Sequence, residues 1–381
     1  MKIPLFKYLK SFFVSQRIVE SDTKLKGLAR ANVLLQALVD ENKVPGISIS
    51  VLHDGKTVLQ KGYGYADIEN KISVDPQKTI FRIASVSKPI AATALAHMVS
   101  EGLIDLDASF YTYVPYYPKK KYDFTIRQLA SHTAGIRSYL GTEYALNKRY
   151  SIKEGIDIFK DDDLLFKPGT QYHYNSYDWV LISLAMQEVS GIPFEEYVKD
   201  KVLNSLGMSN TFAECLPGHQ QESEGEKSRC IDAILPETNV SKFYSKNRLG
   251  FRKALTVSNF YKLAGGGYLS TSKDIAHFGQ SYLNHEILEP EIISQFLRSE
   301  SINDKKTYYG LGWQVSEDKT GRPFYGHIGN GVGGYSNLFI YPEQKMVFAI
   351  ITNCTNPKIQ GELDEIVNEL MHNDYLSTDI K

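Results

Sequence analysis

Phe81-Arg82-Ile83-Ala84-Ser85-Val86-Ser87-Lys88-Pro89-Ile90 is the stretch on which the reading of this chain turns. It sets a hydroxyl and an amine three residues apart where an apolar helical pattern begins, with Ala91, Leu95, Met98 and Val99 recurring at helical spacing behind it. Residues at i and i+3 share a helix face, so Lys88 can bring its amine beside the Ser85 hydroxyl. A buried lysine can lose its proton, and a neutral amine next to a serine can activate it as a nucleophile. Ser-x-x-Lys alone is a weak signal. It recurs at Ser21…Lys24, Ser270…Lys273 and Ser316…Lys319, in polar, capping or turn-like contexts where a helix cap with a solvated lysine is the ordinary explanation. Only at Ser85 does it follow an apolar segment and open a long apolar helix.

Working outward, Leu25, Leu28, Leu35, Leu38 and Val39 predict a helix ending before Val44-Pro45-Gly46. Ile47 to Val51 alternates like a strand, Asp54-Gly55 is a hairpin turn, and Thr57 to Tyr65 supplies the return strand. The same grammar reappears near the other end. Tyr335 to Tyr341 and Met346 to Thr352 read as strands about a Pro342–Lys345 turn, and Leu363, Ile366, Val367, Leu370 and Met371 share one face of a final helix. Strands at both ends with helices between predict an α+β fold: one antiparallel sheet built from both chain ends and flanked by helices, with a mainly helical insertion. The expected boundaries are an extension over 1–22, an α/β sheet domain of 23–112 and 256–376, and the insertion at 113–255. The run from Gln220 to Glu226 reads as a solvated loop.

The chain of 381 residues is long enough for one large or two medium domains, and its 42% hydrophobic and 23% charged residues are ordinary for a globular protein. A net charge of -1 supplies no basic field for nucleic acid. Three cysteines make no disulfide framework: Cys215 and Cys230 can pair within a loop in an oxidising compartment or equally stay unpaired; the nine histidines form no His-x-x-x-His pair, and there is no Cys-x-x-Cys. No metal or organic cofactor is expected. Residues 1–19 carry Lys2, Lys7, Lys10 and Arg17 without an acid, and Leu5, Phe6, Leu9, Phe12 and Phe13 can gather on one helical face. That pattern suits an ordinary packed extension, a membrane-surface helix or a targeting segment, and inclines the setting toward periplasmic, membrane-associated or organellar.

Three further segments give the Ser85 signal its weight: Arg127-Gln-Leu-Ala-Ser-His-Thr-Ala-Gly-Ile136, Lys167-Pro-Gly-Thr-Gln-Tyr-His-Tyr-Asn-Ser176 and Gly326-His-Ile-Gly-Asn-Gly-Val-Gly-Gly334, the last preceded by Ala264-Gly-Gly-Gly-Tyr-Leu-Ser-Thr-Ser272. In this order and spacing they resemble the serine β-lactamase-like family, which includes class C β-lactamases, penicillin-binding-protein-like D-Ala-D-Ala peptidases and related esterases. Val44-Pro-Gly, Gly64-Tyr-Ala-Asp67 and Ser131-His-Thr-Ala-Gly-Ile-Arg-Ser-Tyr139 look closest to the mitochondrial β-lactamase-like branch and its bacterial relatives. The resemblance implies that Ser85 is acylated, that Lys88 accepts its proton, and that Tyr174 shares in proton transfer. It also implies an oxyanion site between the N–H groups of Ser85 and Asn330, beside Gly329. A cationic Lys88 is expected to pull the Tyr174 phenol toward phenolate.

The chain departs from the family pattern twice. Ser176 stands at the third position of the Tyr-Ser-Asn motif, with Asn175 one place early, and His327-Ile328-Gly329 replaces Lys-Thr-Gly. A histidine there is a poor fixed charge for a substrate carboxylate. Lys319-Thr320-Gly321 and Tyr335-Ser336-Asn337 spell the motifs literally, but in a turn and on a strand. The glycines of 329–334 suit backbone approaching a substrate edge-on. The expectation is a serine hydrolase acting on small esters, amides or peptides. The alternatives are a β-lactamase or D-Ala-D-Ala-type peptidase, and a weakly catalytic scaffold, self-assembling or peptide-binding protein.

Overall fold

The leucine pattern near the start does form a helix, α1 (Gly27–Asp40), which buries Ala31, Leu35 and Leu38. The computed structural model describes residues 25–214 and 239–371. The expected extension over residues 1–22, the Gln220–Glu226 loop and the Cys215–Cys230 pair therefore lie outside the described residues.

Strand β1 (Gly46–His53) is joined to β2 (Lys56–Asp67) by Asp54 and Gly55, both at positive φ (48° and 76°). Two successive left-handed residues match the twist of a two-residue hairpin. A short β3 (Ile72–Ser73) adds to β2. From the far end of the chain come β4 (Gln314–Glu317), β5 (Pro323–Gly331), β6 (Gly334–Tyr341) and β7 (Met346–Thr352). β7 pairs antiparallel with β1, from Ile47 opposite Thr352 to His53 opposite Met346. The order is β4-β5-β6-β7-β1-β2-β3, an antiparallel sheet completed by both ends of the chain, as the hairpin signals implied.

Every residue of β6 and β7 is buried, so neither face of that part of the sheet is left to water. Five of the helices in this unit of the chain bear on the sheet and the site. α2 (Ser87–Ser100) is buried from Ser87 through Ala96; apolar on all sides, it is a core helix rather than an amphipathic one. α3 (Ile126–Ala130) opens with a Thr125–Gln128 capping box. α4 (Tyr177–Ser190) stops at Gly191, whose φ of 67° is the left-handed stop that glycine makes easiest. α5 (Leu263–Gly266) is one turn long. α6 (Ser272–Leu283) is capped by Thr271, and at Gly279 a Cβ would stand 2.6 Å from Val347, so the glycine sets how closely this helix lies on the sheet.

The two ends of the chain form a separate compact unit, in which α1 meets α7 (Gln360–Met371). Glu369 accepts from the Gly27 N–H (3.0 Å), serving as the cap that Lys26 cannot provide. Arg30–Glu365 (3.2 Å) and Lys43–Glu362 (2.8 Å) add ion pairs along the same seam. Among the described residues no helix is long and apolar enough to cross a membrane.

Candidate active site

The serine sits on a strained turn. Phe81–Arg82 pairs with Tyr268–Ser270, and the chain then reverses into a 3-10 turn, Ala84–Val86, ahead of α2. Ala84 has a φ of 44°, a left-handed conformation that a residue with a Cβ rarely adopts outside functional sites. The reversal leaves Ser85 as the single residue of Phe81–Ile90 that is not buried. On its other side β5 passes very close. A Cβ on Gly329 would stand 2.3 Å from the Ile83 carbonyl and 3.0 Å from the Ser85 nitrogen, and one on Gly334 would stand 2.4 Å from the Arg82 carbonyl. These glycines thus admit the chain's own 82–85 turn. The expectation is backbone approaching a substrate edge-on; at Gly329 and Gly334 the close approach is to the chain's own turn.

Lys88 lies one turn beyond Ser85, where i and i+3 positions nearly eclipse in a 3-10 start. Its Nζ stands 3.1 Å from Ser85 Oγ, donates to the Gly265 carbonyl at 2.7 Å, and reaches Ser176 Oγ at 3.5 Å. The side chain is wholly buried, and burial brings the amine down to about 7, with the Asp178 carboxylate pulling the other way. Near neutral pH a large share is therefore neutral. A neutral Nζ can keep its bond to the Gly265 carbonyl and accept the Ser85 proton.

Tyr174 comes in from the loop before α4. Gly169 (φ 81°) turns that loop, its N–H bonded to the Thr133 carbonyl, and the Tyr174 hydroxyl donates to Ser85 Oγ at 2.9 Å. Lys88 Nζ lies 4.8 Å from the centre of the Tyr174 ring. The expected phenolate is overturned. Burial pushes the phenol above its ordinary value, outweighing the bond to Ser85, although the residue as a whole is 37% exposed. Tyr174 is a neutral donor and Lys88 the readily deprotonated group.

Ser176 occupies the first position before α4 with its hydroxyl toward Lys88, and it also bonds the Tyr139 hydroxyl. Asn175 turns inward, donating to the Ile136 and His173 carbonyls (both 3.1 Å) and to Asp178 Oδ2 (2.7 Å). The displaced amide therefore builds the loop. Ile328 points its N–H away from β6, to Gln314 Oε1 at 3.2 Å. Asn330, two residues on, turns its N–H to that same edge, past the end of the β4 pairing at Gly326. His327 is 1% exposed; Nδ1 bonds the Ile328 carbonyl (2.7 Å) and Nε2 meets the Tyr309 hydroxyl (2.9 Å). Burial brings its pKa down to about 3, so it is neutral and both ring nitrogens are committed inside the protein.

Residues beyond the sequence-derived set complete the surroundings. His132 (φ 61°) and Asp178 are fully buried and joined Nδ1···Oδ2 at 2.8 Å, and the His132 ring meets the Tyr174 ring edge-on with centroids 4.6 Å apart. Tyr309 fills the space between His132 (4.8 Å) and His327 (5.7 Å). His132 stood in a quoted motif, and Asp178 lies four residues after Tyr174, in the first turn of α4; neither carries a signal of its own in a single sequence. Among the described residues no three His, Cys, Asp or Glu side chains converge as a metal site.

The beta-lactamase family model matches residues 31–370. The chain belongs to the beta-lactamase family, whose members are serine hydrolases. As a member of that family it is 28% identical to the human mitochondrial serine beta-lactamase-like protein LACTB, over 82% of this chain and 71% of that protein. Among solved structures, EstCE1, a hydrolase with promiscuous acyltransferase activity, superposes with a TM-score of 0.74 at 18% identity, covering 90% of this chain and 98% of that one. The D-amino acid amidase of Ochrobactrum anthropi SV3 superposes with a TM-score of 0.72 at 19% identity, covering 89% and 98%. The family resemblance and the α+β architecture read from the sequence are both borne out.

Proposed function

We propose that this protein hydrolyses uncharged acyl donors, small esters and amides above all, through an acyl-enzyme on Ser85. The observation that carries the reading is the position of Ser85 Oγ, 3.1 Å from Lys88 Nζ and 2.9 Å from the Tyr174 hydroxyl. Neutral Lys88 accepts the Ser85 proton as Oγ bonds to the acyl carbon. The former carbonyl oxygen takes the negative charge between the N–H groups of Ser85 and Asn330. Tyr174 gives its proton to the leaving oxygen or nitrogen as that bond breaks and is recharged from Lys88. Water then enters by the reverse path and frees the acid.

The third segment bears on substrate charge. His327 offers no cation and no free nitrogen, so nothing there rewards a carboxylate of the penicillin or D-alanyl kind. Tyr172 (38% exposed) and Tyr174 present aromatic surface at the same place. The fold is shared by proteins named as a hydrolase with promiscuous acyltransferase activity and as a D-amino acid amidase, so it leaves the acyl donor to the site itself.

The test is a substrate panel: p-nitrophenyl acetate and butyrate, a chromogenic cephalosporin, and D- and L-aminoacyl amides. A missing charged hydrogen bond contributes about 1.5–3 kcal/mol, so kcat/KM for the esters should exceed that for the cephalosporin by about 10- to 100-fold. Efficient cephalosporin turnover without esterase activity would overturn the reading.

A further inference from the structure

The chemistry proposed for Ser85, Lys88 and Tyr174 leaves unexplained a fully buried polar pair directly behind it. His132 leaves the end of α3 through a left-handed residue, and Asp178 stands in the first turn of α4; both are 0% exposed. Asp178 Oδ2 takes two bonds, from Asn175 Nδ2 (2.7 Å) and His132 Nδ1 (2.8 Å), and the Asp178 N–H donates to Asn175 Oδ1 (2.8 Å). The other two polar atoms, Asp178 Oδ1 and His132 Nε2, are buried with no hydrogen-bond partner. Burying a carboxylate with an orphan oxygen opposes folding, and leucine-like packing would avoid that penalty. Such a pair needs a reason.

We propose that His132 and Asp178 are positioning residues for the hydrolytic site: the His132 ring is the wall that fixes Tyr174 against Ser85, and Asp178, itself bonded to Asn175, holds that ring in place. This rests on the proposed function. The His132 ring stands edge-on to the Tyr174 ring with centroids 4.6 Å apart, and the Tyr309 ring stands 4.8 Å from that of His132. Burial raises Asp178 well above the ordinary carboxylate range, with the Asn175 bond and then Lys88 pulling it back. His132 is pushed well below its ordinary value by burial and then by Lys88, so it is a neutral ring against Tyr174 and not a second cation. Asn175, displaced from the family position, locks Asp178 in place.

Asp178→Asn keeps the shape and an oxygen that can accept from the His132 ring, so it should retain more of kcat for p-nitrophenyl butyrate than Asp178→Ala, which frees the ring and should lower kcat about tenfold. His132→Asn removes the ring itself and should lower kcat about tenfold while the acid limb of the rate, set by Lys88, stays in place. That loss should vanish in a Tyr174→Phe background, where no hydroxyl remains to be positioned. The rate at which a fluorophosphonate labels Ser85 reads the same comparison without turnover of an ester. If no ester is turned over, the proposed function fails while the labelling rates still decide the role of His132. A His132→Asn loss that persists undiminished in Tyr174→Phe would overturn the proposal, and it decides even if the Asp178 variants do not fold.

Discussion

Tyr174-Asn175-Ser176 and Tyr335-Ser336-Asn337 invite comparison, because the second spells the family motif more faithfully while the first holds the geometry. Tyr174 is 37% exposed and donates to Ser85 Oγ; Tyr335 is 7% exposed on β6, among strand residues buried on both sides. Ser336 donates to the Ile83 carbonyl at 2.5 Å, and Asn337 is fully buried. The second tripeptide thus supports the turn that presents Ser85, and the first completes the site. A motif of this kind is defined by its entry into α4 and the reach of its side chains, with letter order secondary. The same contrast separates two buried lysines. Burial lowers both, Lys88 to about 7 and Lys262 to about 8, but Lys262 Nζ donates to the Tyr144 carbonyl at 2.9 Å. A lowered pKa marks a candidate, and the neighbour decides its use.

The largest effect expected is at Lys88. Lys88→Met should lower kcat/KM for a p-nitrophenyl ester by about 10⁴-fold, the upper range for a general base, while Lys262→Met leaves most activity in place. Comparable losses in both variants, at matched thermal melts, would break the distinction. Next comes the tyrosine pair: Tyr174→Phe should cost about 10²–10³-fold in rate and Tyr335→Phe little. A crippled Tyr335→Phe beside an active Tyr174→Phe would move the site to β6.

A smaller effect is set by pH. The reactive form needs neutral Lys88, so kcat/KM should rise with pH through about 7 and stand about 100-fold lower two units below that midpoint. Tyr174 must stay protonated and is raised, so no loss is expected until pH passes the ordinary phenol value. A rate that falls as pH climbs from 6 to 8 would contradict both assignments. The smallest effect sits in the literal tripeptide. Ser336→Ala removes one buried hydrogen bond to the Ser85 turn and should cost about 1 kcal/mol of stability, read from a denaturant midpoint.

Much of this was legible in the sequence, for physical reasons that differ by region. Hairpins announce themselves locally: Asp54-Gly55 must take positive φ, and the alternation on either side has period two. Ser85 and Lys88 were legible because a three-residue spacing puts two side chains on one face. The charge states were not. Whether Lys88 ionises Tyr174 depends on how much water each group loses, and that is decided by α4, β5 and Gly265, all distant in the chain. His327 was legible as a missing lysine, but its engagement with Tyr309 follows from the way β5 stands against the segment before β4. The glycines of 329–334 announced a close approach, and only the fold says that the approaching chain is the protein's own.

The most direct test of the central claim is to locate the nucleophile. Treating the protein with a fluorophosphonate and mapping the adduct by peptide mass spectrometry should place it on Ser85, with none in Ser85→Ala. An adduct on Ser87, Ser176 or Ser336, or one that survives Ser85→Ala, would contradict the account.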